Sequence, residues 1–218
     1  MSTNHKSGYP AQDARVLQLV QQRGVLRPRD LTAQGLSPDR LRHLYARGQV
    51  ERYGRGLYLP RNPDRSEQEM LTIAAARVPH AVICLLSALR FHTLTTQNPA
   101  ELWIAIDHKA RLPHVPELPL RVVRMSGTAR TTGVDTHVID GVSVQVYDDA
   151  KTVVDCFKYR NKIGVDVAVE ALREYLRGPA SDARGSHDKT RRSVDTLWRY
   201  AAICRVTNVM RPYLDALV

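Results

Sequence analysis

The sequence predicts an α+β chain in two parts, and three observations carry that reading. Residues 26–60 break into a short helix, a turn, a second helix and a basic hairpin. Residues 102–146 hold alternating apolar runs, two of them joined by Asp140-Gly141, a strong signal for a tight hairpin. From Asp148 onward apolar residues recur at helical spacing, as Ala150, Val153, Val154 and Phe157 do. The expected fold is an N-terminal winged helix-turn-helix followed by a mixed α/β domain with a small sheet and C-terminal helices. The expected division is residues 10–62 and 63–218.

In chain order, Met1 to Pro10 reads as a loose start. Gln12 to Arg23 carries Val16, Leu17, Leu19 and Val20 between polar residues and stops at Gly24, which predicts the first helix. Val25 and Leu26 then form a short strand. Pro28 to Gln34 is the second helix, ended by Gly35, and Leu36 plugs the turn that follows. Ser37 is placed to cap, Pro38 suits a first helical position, and Asp39 complements the positive end of the helix dipole. A third helix is therefore expected to start at Pro38 and to stop at Gly48, about ten residues or roughly 15 Å long.

At 100° per residue, Leu41, Leu44 and Tyr45 share one side of this helix. Asp39, Arg42, His43 and Ala46 lie opposite, flanked by Arg40 and Arg47. The apolar side packs, and the basic side faces out. Gln49 to Tyr53 and Leu57 to Leu59 read as strands around Gly54-Arg55-Gly56, a turn that holds Arg55 at its tip.

The second part opens after Pro60 and Pro63. Ser66 and Glu69 make a capping box before a helix bearing Met70, Leu71, Ile73, Ala74 and Val78 that Pro79 ends. Ala81 to Leu85 is strand-like, Ser87 is placed to cap a short helix through Leu94, and Leu102 to Ile106 is a strand. A loop with Pro113, Pro116 and Pro119 leads to a strand over Leu120 to Arg124, and Thr136 to Val146 is the hairpin. Asp148 or Asp149 caps the next helix. Gly164 separates it from a helix over Val165 to Arg177, Gly178 to Lys189 is a polar loop, and Ser193 to Val218 is helical with a break before Pro212.

Charge sorts along the chain. Residues 1–60 hold ten Lys/Arg and four Asp/Glu, residues 61–150 nine and ten, and residues 151–218 thirteen and eight. A near-neutral middle between basic ends fits a nucleic-acid partner. The three cysteines, Cys84, Cys156 and Cys204, are isolated in apolar surroundings and read as reduced core residues of a cytoplasmic protein. No stretch reaches about 18 consecutive apolar residues and no signal sequence opens the chain, so neither a membrane span nor export is expected.

The segments Tyr53-Gly-Arg-Gly-Leu-Tyr58, Leu86-Ser-Ala-Leu-Arg-Phe-His-Thr-Leu94 and Leu102-Trp-Ile-Ala-Ile106 belong to a recognisable set. So does Asp149-Ala-Lys-Thr-Val-Val-Asp-Cys-Phe-Lys-Tyr-Arg160, followed by Gly164 and Ala168-Val-Glu-Ala-Leu172. With these segments nearly the whole chain resembles the AbiEi family, antitoxins and transcriptional regulators of bacterial type IV toxin–antitoxin systems. The resemblance implies a winged-helix domain that binds inverted repeats in its own promoter. It also implies a C-terminal domain that counters a cognate nucleotidyltransferase toxin. Carried over, the recognition-helix and wing positions are Arg40, Arg42, His43, Arg47, Arg52 and Arg55. The run from Gly178 to Arg192 departs from the family pattern as an insertion.

The expected DNA-binding set is therefore Arg27, Arg29, Ser37, Arg40, Arg42, His43, Arg47, Arg52 and Arg55. Arg42, His43 and Arg47 are expected at base edges; Arg29, Arg52 and Arg55 are expected at phosphates or in the minor groove. A partner surface is expected from Lys151, Lys158, Arg160, Lys162, Arg173 and Arg177 on the outward sides of the C-terminal helices. No cofactor, metal or membrane partner is expected and no catalytic residue is assigned. The enzyme alternative is a metal-dependent nuclease using Asp149-x-Lys151 with Asp107, against which Asp149 as a helix cap is the simpler reading. His108 and His114 lie in a proline-rich loop without metal-ligand spacing, and neither a glycine-rich phosphate loop nor a nucleophile elbow is present. A repressor unrelated to any toxin is the third reading.

Overall fold

The computed structural model describes residues 9–52, 56–61, 67–116, 118–178 and 193–217. Two compact units divide the chain. The first takes in Met1–Pro79 with His114–Leu118 and His137–Val144, and the second holds the remainder.

In the first unit, α1 (Tyr9–Arg23), α2 (Pro28–Thr32) and α3 (Asp39–Ala46) precede β1 (Val50–Arg52) and β2 (Tyr58–Pro60). The two strands pair antiparallel with Val50 opposite Pro60 and Arg52 opposite Tyr58. Leu26 adds a bridge to Tyr58, so the segment before α2 closes against the wing. These elements enclose one core of Val16, Val20, Leu26, Leu31, Leu36, Leu41, Leu44, Val50 and Tyr58. The arrangement is a winged helix-turn-helix, and Leu36 fills the turn as the sequence predicts.

Glycine sets where two of these helices stop. Gly48 has φ +66; its N–H reaches the Tyr45 carbonyl while Gln49 donates to Leu44, the paired bonds of a Schellman end. Gly35, at φ +69, ends α2 with the same 6→1 bond, from Leu36 to Leu31. The helix expected from Pro38 begins one residue later, at Asp39: Pro38 takes the N-cap position with no side-chain cap bond. The wing turn at Gly54 and Arg55, Ser66 of the capping box, most of the N-terminal start and the run from Pro179 to Arg192 lie outside the described residues.

Helix α4 (Glu67–Arg77) completes the helices of the first unit, with Leu71, Ile73 and Ala74 buried. The Arg27 guanidinium donates to the Ala76 carbonyl near its end. At the end of α1, a Cβ on Gly24 would stand 1.9 Å from the Asp140 carbonyl oxygen, and one on Gly141 would stand 2.5 Å from that of Gln22. Backbone meets backbone there, and both glycines have positive φ.

A five-stranded sheet has the order β5-β4-β3-β7-β6, from β3 (Val82–Ile83), β4 (Leu102–Asp107), β5 (Leu120–Met125), β6 (Val134–Ile139) and β7 (Val142–Tyr147). β3 lies antiparallel to β4 and parallel to β7; β4 and β5 run parallel, Leu102 opposite Leu120. The Asp140-Gly141 turn takes φ +47 and +74, as a primed hairpin turn requires. Around the second unit's core stand α5 (Leu85–Phe91), α6 (Thr128–Thr131), α7 (Asp149–Lys158), α8 (Arg160–Ile163), α9 (Val165–Arg177), α10 (Val194–Cys204) and α11 (Thr207–Asp215).

Several expectations are corrected. Ser87 is no cap: it is buried inside α5, whose N-cap is Cys84, and its hydroxyl accepts the Trp103 N–H at 2.9 Å. The C-terminal break falls at Arg205, a left-handed residue at φ 59, and Pro212 sits inside α11. Helices α6 and α8 are too short for a periodic signal. The three cysteines are free and buried, as expected, and burial raises the Cys84 and Cys156 thiols well above their ordinary range.

Helix α7 is the axis of the second unit, packed against α5, α9 and α10. Asp148 caps it, accepting the Lys151 N–H at 2.6 Å on one oxygen and the Tyr200 hydroxyl at 2.7 Å on the other. Lys151 is fully buried. Its ammonium pairs with Asp155 one turn along and lies 4.2 Å from the centre of the Tyr147 ring. The Cys204 thiol faces the other Asp155 oxygen at 3.6 Å. Burial pushes the Asp155 carboxyl upward, and the ammonium beside it opposes that shift.

Two stability outcomes follow. Gly24→Ala and Gly35→Ala each impose a left-handed conformation on alanine, about 1–2 kcal/mol, but only Gly24 has backbone in the way. In urea titrations Gly24→Ala is the more destabilised, and equal midpoints contradict the close contact. Lys151→Met leaves a buried carboxylate alone and costs about 3–5 kcal/mol, most of which Lys151→Met/Asp155→Leu recovers. A double variant no more stable than the single shows that the pair is not isolated in this way.

Candidate nucleic-acid interface

Helix α3 is held by two side chains that see no solvent, Leu41 and Leu44. Their burial fixes the helix rotation, and with it the exposure of Asp39, Arg42, His43 and Ala46. Tyr45, expected on the packed side, is 49% exposed and leans edge-on against Tyr58 with ring centres 6.5 Å apart. Ser37, Asp39, Arg40, Arg42 and His43 line an open cleft with Gln12 of α1.

The arginines are not equivalent. Arg40 is turned onto α1: its side chain is 12% exposed and its guanidinium lies 3.4 Å from the Asp13 carboxylate. Arg47 reaches the other oxygen of Asp13 at 3.6 Å, with its side chain 68% exposed. One buried carboxylate thus steadies two arginines of α3, one held inside and one left largely in water. This corrects the expectation for Arg40, whose contact is internal. Arg27 is corrected likewise, since its side chain bonds the Ala76 carbonyl and its own N–H is received by Asp30 at 2.8 Å. Arg29 is exposed with a loose 3.9 Å contact to Asp30, and Arg52 is exposed at the end of β1. Arg55 lies outside the described residues.

The structure therefore brings together Ser37, Arg42 and His43 in one cleft, with Arg47 tied to Arg40 through Asp13, and carries Arg29 and Arg52 on the same module. Sequence reasoning missed Asp13. Its signal was present: Asp13, Val16 and Val20 share one helical stripe, and a carboxylate on a packed stripe needs a cationic partner. Arg61, also missed, donates to the Gly48 carbonyl at 3.2 Å and so ties the end of β2 to the end of α3.

The expected partner surface on the second unit is altered in two ways. Lys151 is no surface residue, because it is the buried partner of Asp155; Asp149 is the first residue of α7, after the Asp148 cap. Arg173 and Arg177 are exposed but share a cleft with Asp166, Glu170 and Glu174, and Arg177 pairs with Glu174. That face is of mixed charge. Lys158 and Arg160 are half-buried, with Arg160 donating to the Phe157 carbonyl at 3.0 Å; Lys162 is exposed beside the Tyr159 ring. Among the described residues no group of three or more His, Cys, Asp or Glu side chains is placed to hold a metal ion. No described helix is long and apolar enough to cross a membrane.

A winged helix-turn-helix with an outward cationic helix face is the architecture of a DNA-binding regulator. Residues 14–61 match the family described as transcriptional regulator, AbiEi antitoxin. The likeness seen in the sequence over nearly the whole chain is thus matched in the module that carries α1 to β2. The fold as a whole is similar to the crystal structure of the RV2827C protein from Mycobacterium tuberculosis. The TM-score is 0.51 at 17% identity, over 95% of this chain and 80% of that one. At that identity the likeness is one of fold alone. No curated protein matches.

Stability separates the inner arginine from the outer one. Arg40→Ala leaves Asp13 without its buried partner and is expected to cost about 1–3 kcal/mol, whereas Arg42→Ala on the exposed face changes stability by no more than about 0.5 kcal/mol. Thermal melts of both variants check this, and equal losses contradict the assignment of roles.

Proposed function

We propose that this protein is a DNA-binding transcriptional autorepressor and antitoxin of a type IV toxin–antitoxin system, countering a cognate nucleotidyltransferase toxin. The observation that carries the reading is α3, whose buried leucines turn Arg42 and His43 outward in the segment that matches the AbiEi antitoxin family. Residues 10–62 act as the DNA-binding domain, and the operator is an inverted repeat in the protein's own promoter. Residues 63–218 serve the antitoxin role without a reaction centre or cofactor, in the cytoplasm.

Roles within the interface follow from position. Arg42 and His43 approach base edges in the major groove, with Arg47 directed beside them by Asp13. Arg29 and Arg52, with Arg55 at the wing tip, hold phosphates or reach the minor groove, and Ser37 adds a hydroxyl at the helix entrance. Arg40 and Arg27 support this surface from behind. Lys158, Arg160, Lys162, Arg173 and Arg177 are the remaining candidates for a partner face.

Gel shifts on promoter and random duplexes test the reading. Arg42→Ala lowers specific affinity by about 1–3 kcal/mol and leaves non-specific binding nearly unchanged. Arg52→Ala weakens binding to all sequences and reduces the salt slope by about one unit. In cells carrying the neighbouring toxin gene, full-length Arg42→Ala derepresses the promoter yet still protects. Loss of both properties together, or of neither, contradicts the division of labour.

A further inference from the structure

Two carboxylates stand near the cationic face of α3, and they are treated differently. Asp13 is buried and takes up Arg40 and Arg47. Asp39 is exposed at the first position of α3 and lines the same cleft as Arg42 and His43. Among the described residues it forms no ion pair, with Arg42 one turn along or with the two arginines that Asp13 engages. Its place at the helix N-terminus favours the dipole, but an acid on a surface that approaches DNA faces the phosphates at close range. Such a group is tolerated when it meets a donor, and in the major groove the donors are the exocyclic amino groups of cytosine and adenine. A carboxylate, which only accepts, is matched to cytosine N4, whereas the acceptors of guanine and thymine repel it.

We propose that Asp39 is a specificity-determining residue that selects cytosine in each operator half-site, its carboxylate accepting from the N4 amino group. The inference rests on the DNA-binding reading. N-terminal residues of a recognition helix are the ones that reach base edges. Asp39 and Arg42 are three residues apart on α3, so their Cβ atoms lie roughly 5–6 Å apart, which spans one to two base-pair steps of about 3.4 Å. Guanine, through O6 and N7, is the commonest base partner of an arginine and is the one assigned here to Arg42, so the selected cytosine lies one or two base pairs from it. Asp39 also sharpens selection by repulsion, lowering affinity for duplexes that offer no amino group there.

The test is selection from duplexes with a randomised core, using full-length wild type, Asp39→Ala, Asp39→Asn and Arg42→Ala. Wild type enriches a motif holding one cytosine at fixed offset from the guanine that Arg42→Ala erases. Asp39→Ala keeps that guanine, loses the cytosine preference by roughly ten- to a hundredfold, and binds random duplex more tightly than wild type. Asp39→Asn, nearly isosteric, moves the preference to adenine, which a merely structural loss at the helix start does not produce. Identical motifs from wild type and Asp39→Ala overturn the role of Asp39 and leave DNA binding standing; so does a cytosine retained by Asp39→Asn. A wild type that enriches no motif removes the DNA-binding reading and this inference together.

Discussion

Everything at the interface depends on the rotation of one eight-residue helix, and that rotation is set by two leucines. Full burial of Leu41 and Leu44 contributes about 1.5–3 kcal/mol each, and turning the helix by one residue would expose them and bury Arg42 instead. The exposed arginines have no comparable say, since a surface ion pair contributes under about 1 kcal/mol. Apolar packing therefore directs the polar face. Asp13 refines the result by holding Arg40 inward and leaving Arg47 mostly in water. The Gly48 helix end and the Arg61 contact to its carbonyl fix where α3 stops relative to the wing.

The second unit is organised around a polar interior. Lys151 and Asp155, the Asp148 cap, the Tyr147 ring and the Cys204 thiol meet along one side of α7, where apolar side chains would ordinarily be found. A buried pair of this kind adds little net stability but penalises any packing that separates its members. The helix that bears it is consequently the least free of the unit to shift register against α9 and α10. Tyr200, bonded to Asp148 from α10, extends that constraint to the C-terminal helices.

Much of the architecture was legible because its signals were local. Glycine and proline marked the ends of α1, α2 and α3, the period of the apolar residues separated strands from helices, and Asp140-Gly141 announced its hairpin. The outward face of α3 followed from 3.6-residue periodicity alone. What the sequence concealed were partnerships between distant residues. Arg27 and Arg40 look like any exposed arginine until Ala76 and Asp13 are brought beside them. Lys151 was read as outward because α7 was given one apolar side, yet the helix is surrounded, and a lysine four residues before an aspartate is equally the signature of a surface pair and of a buried one. Ser87 offered a cap by residue type, but the unpaired N–H that needed it belonged to Trp103 on a neighbouring strand.

The meeting of the Asp140-Gly141 turn with the end of α1 bears on how this chain tolerates change in length. Hairpin tips are ordinarily where families drift, since added residues there project into water. In this molecule the tip is seated against main chain at Gln22, Arg23 and Gly24, so an inserted residue has nowhere to go without lifting the turn from its seat. Epitope tags, domain fusions and circular permutation sites placed at residue 140 will therefore perturb the helix leading into the winged module, and variation in loop size is expected to accumulate elsewhere in the chain.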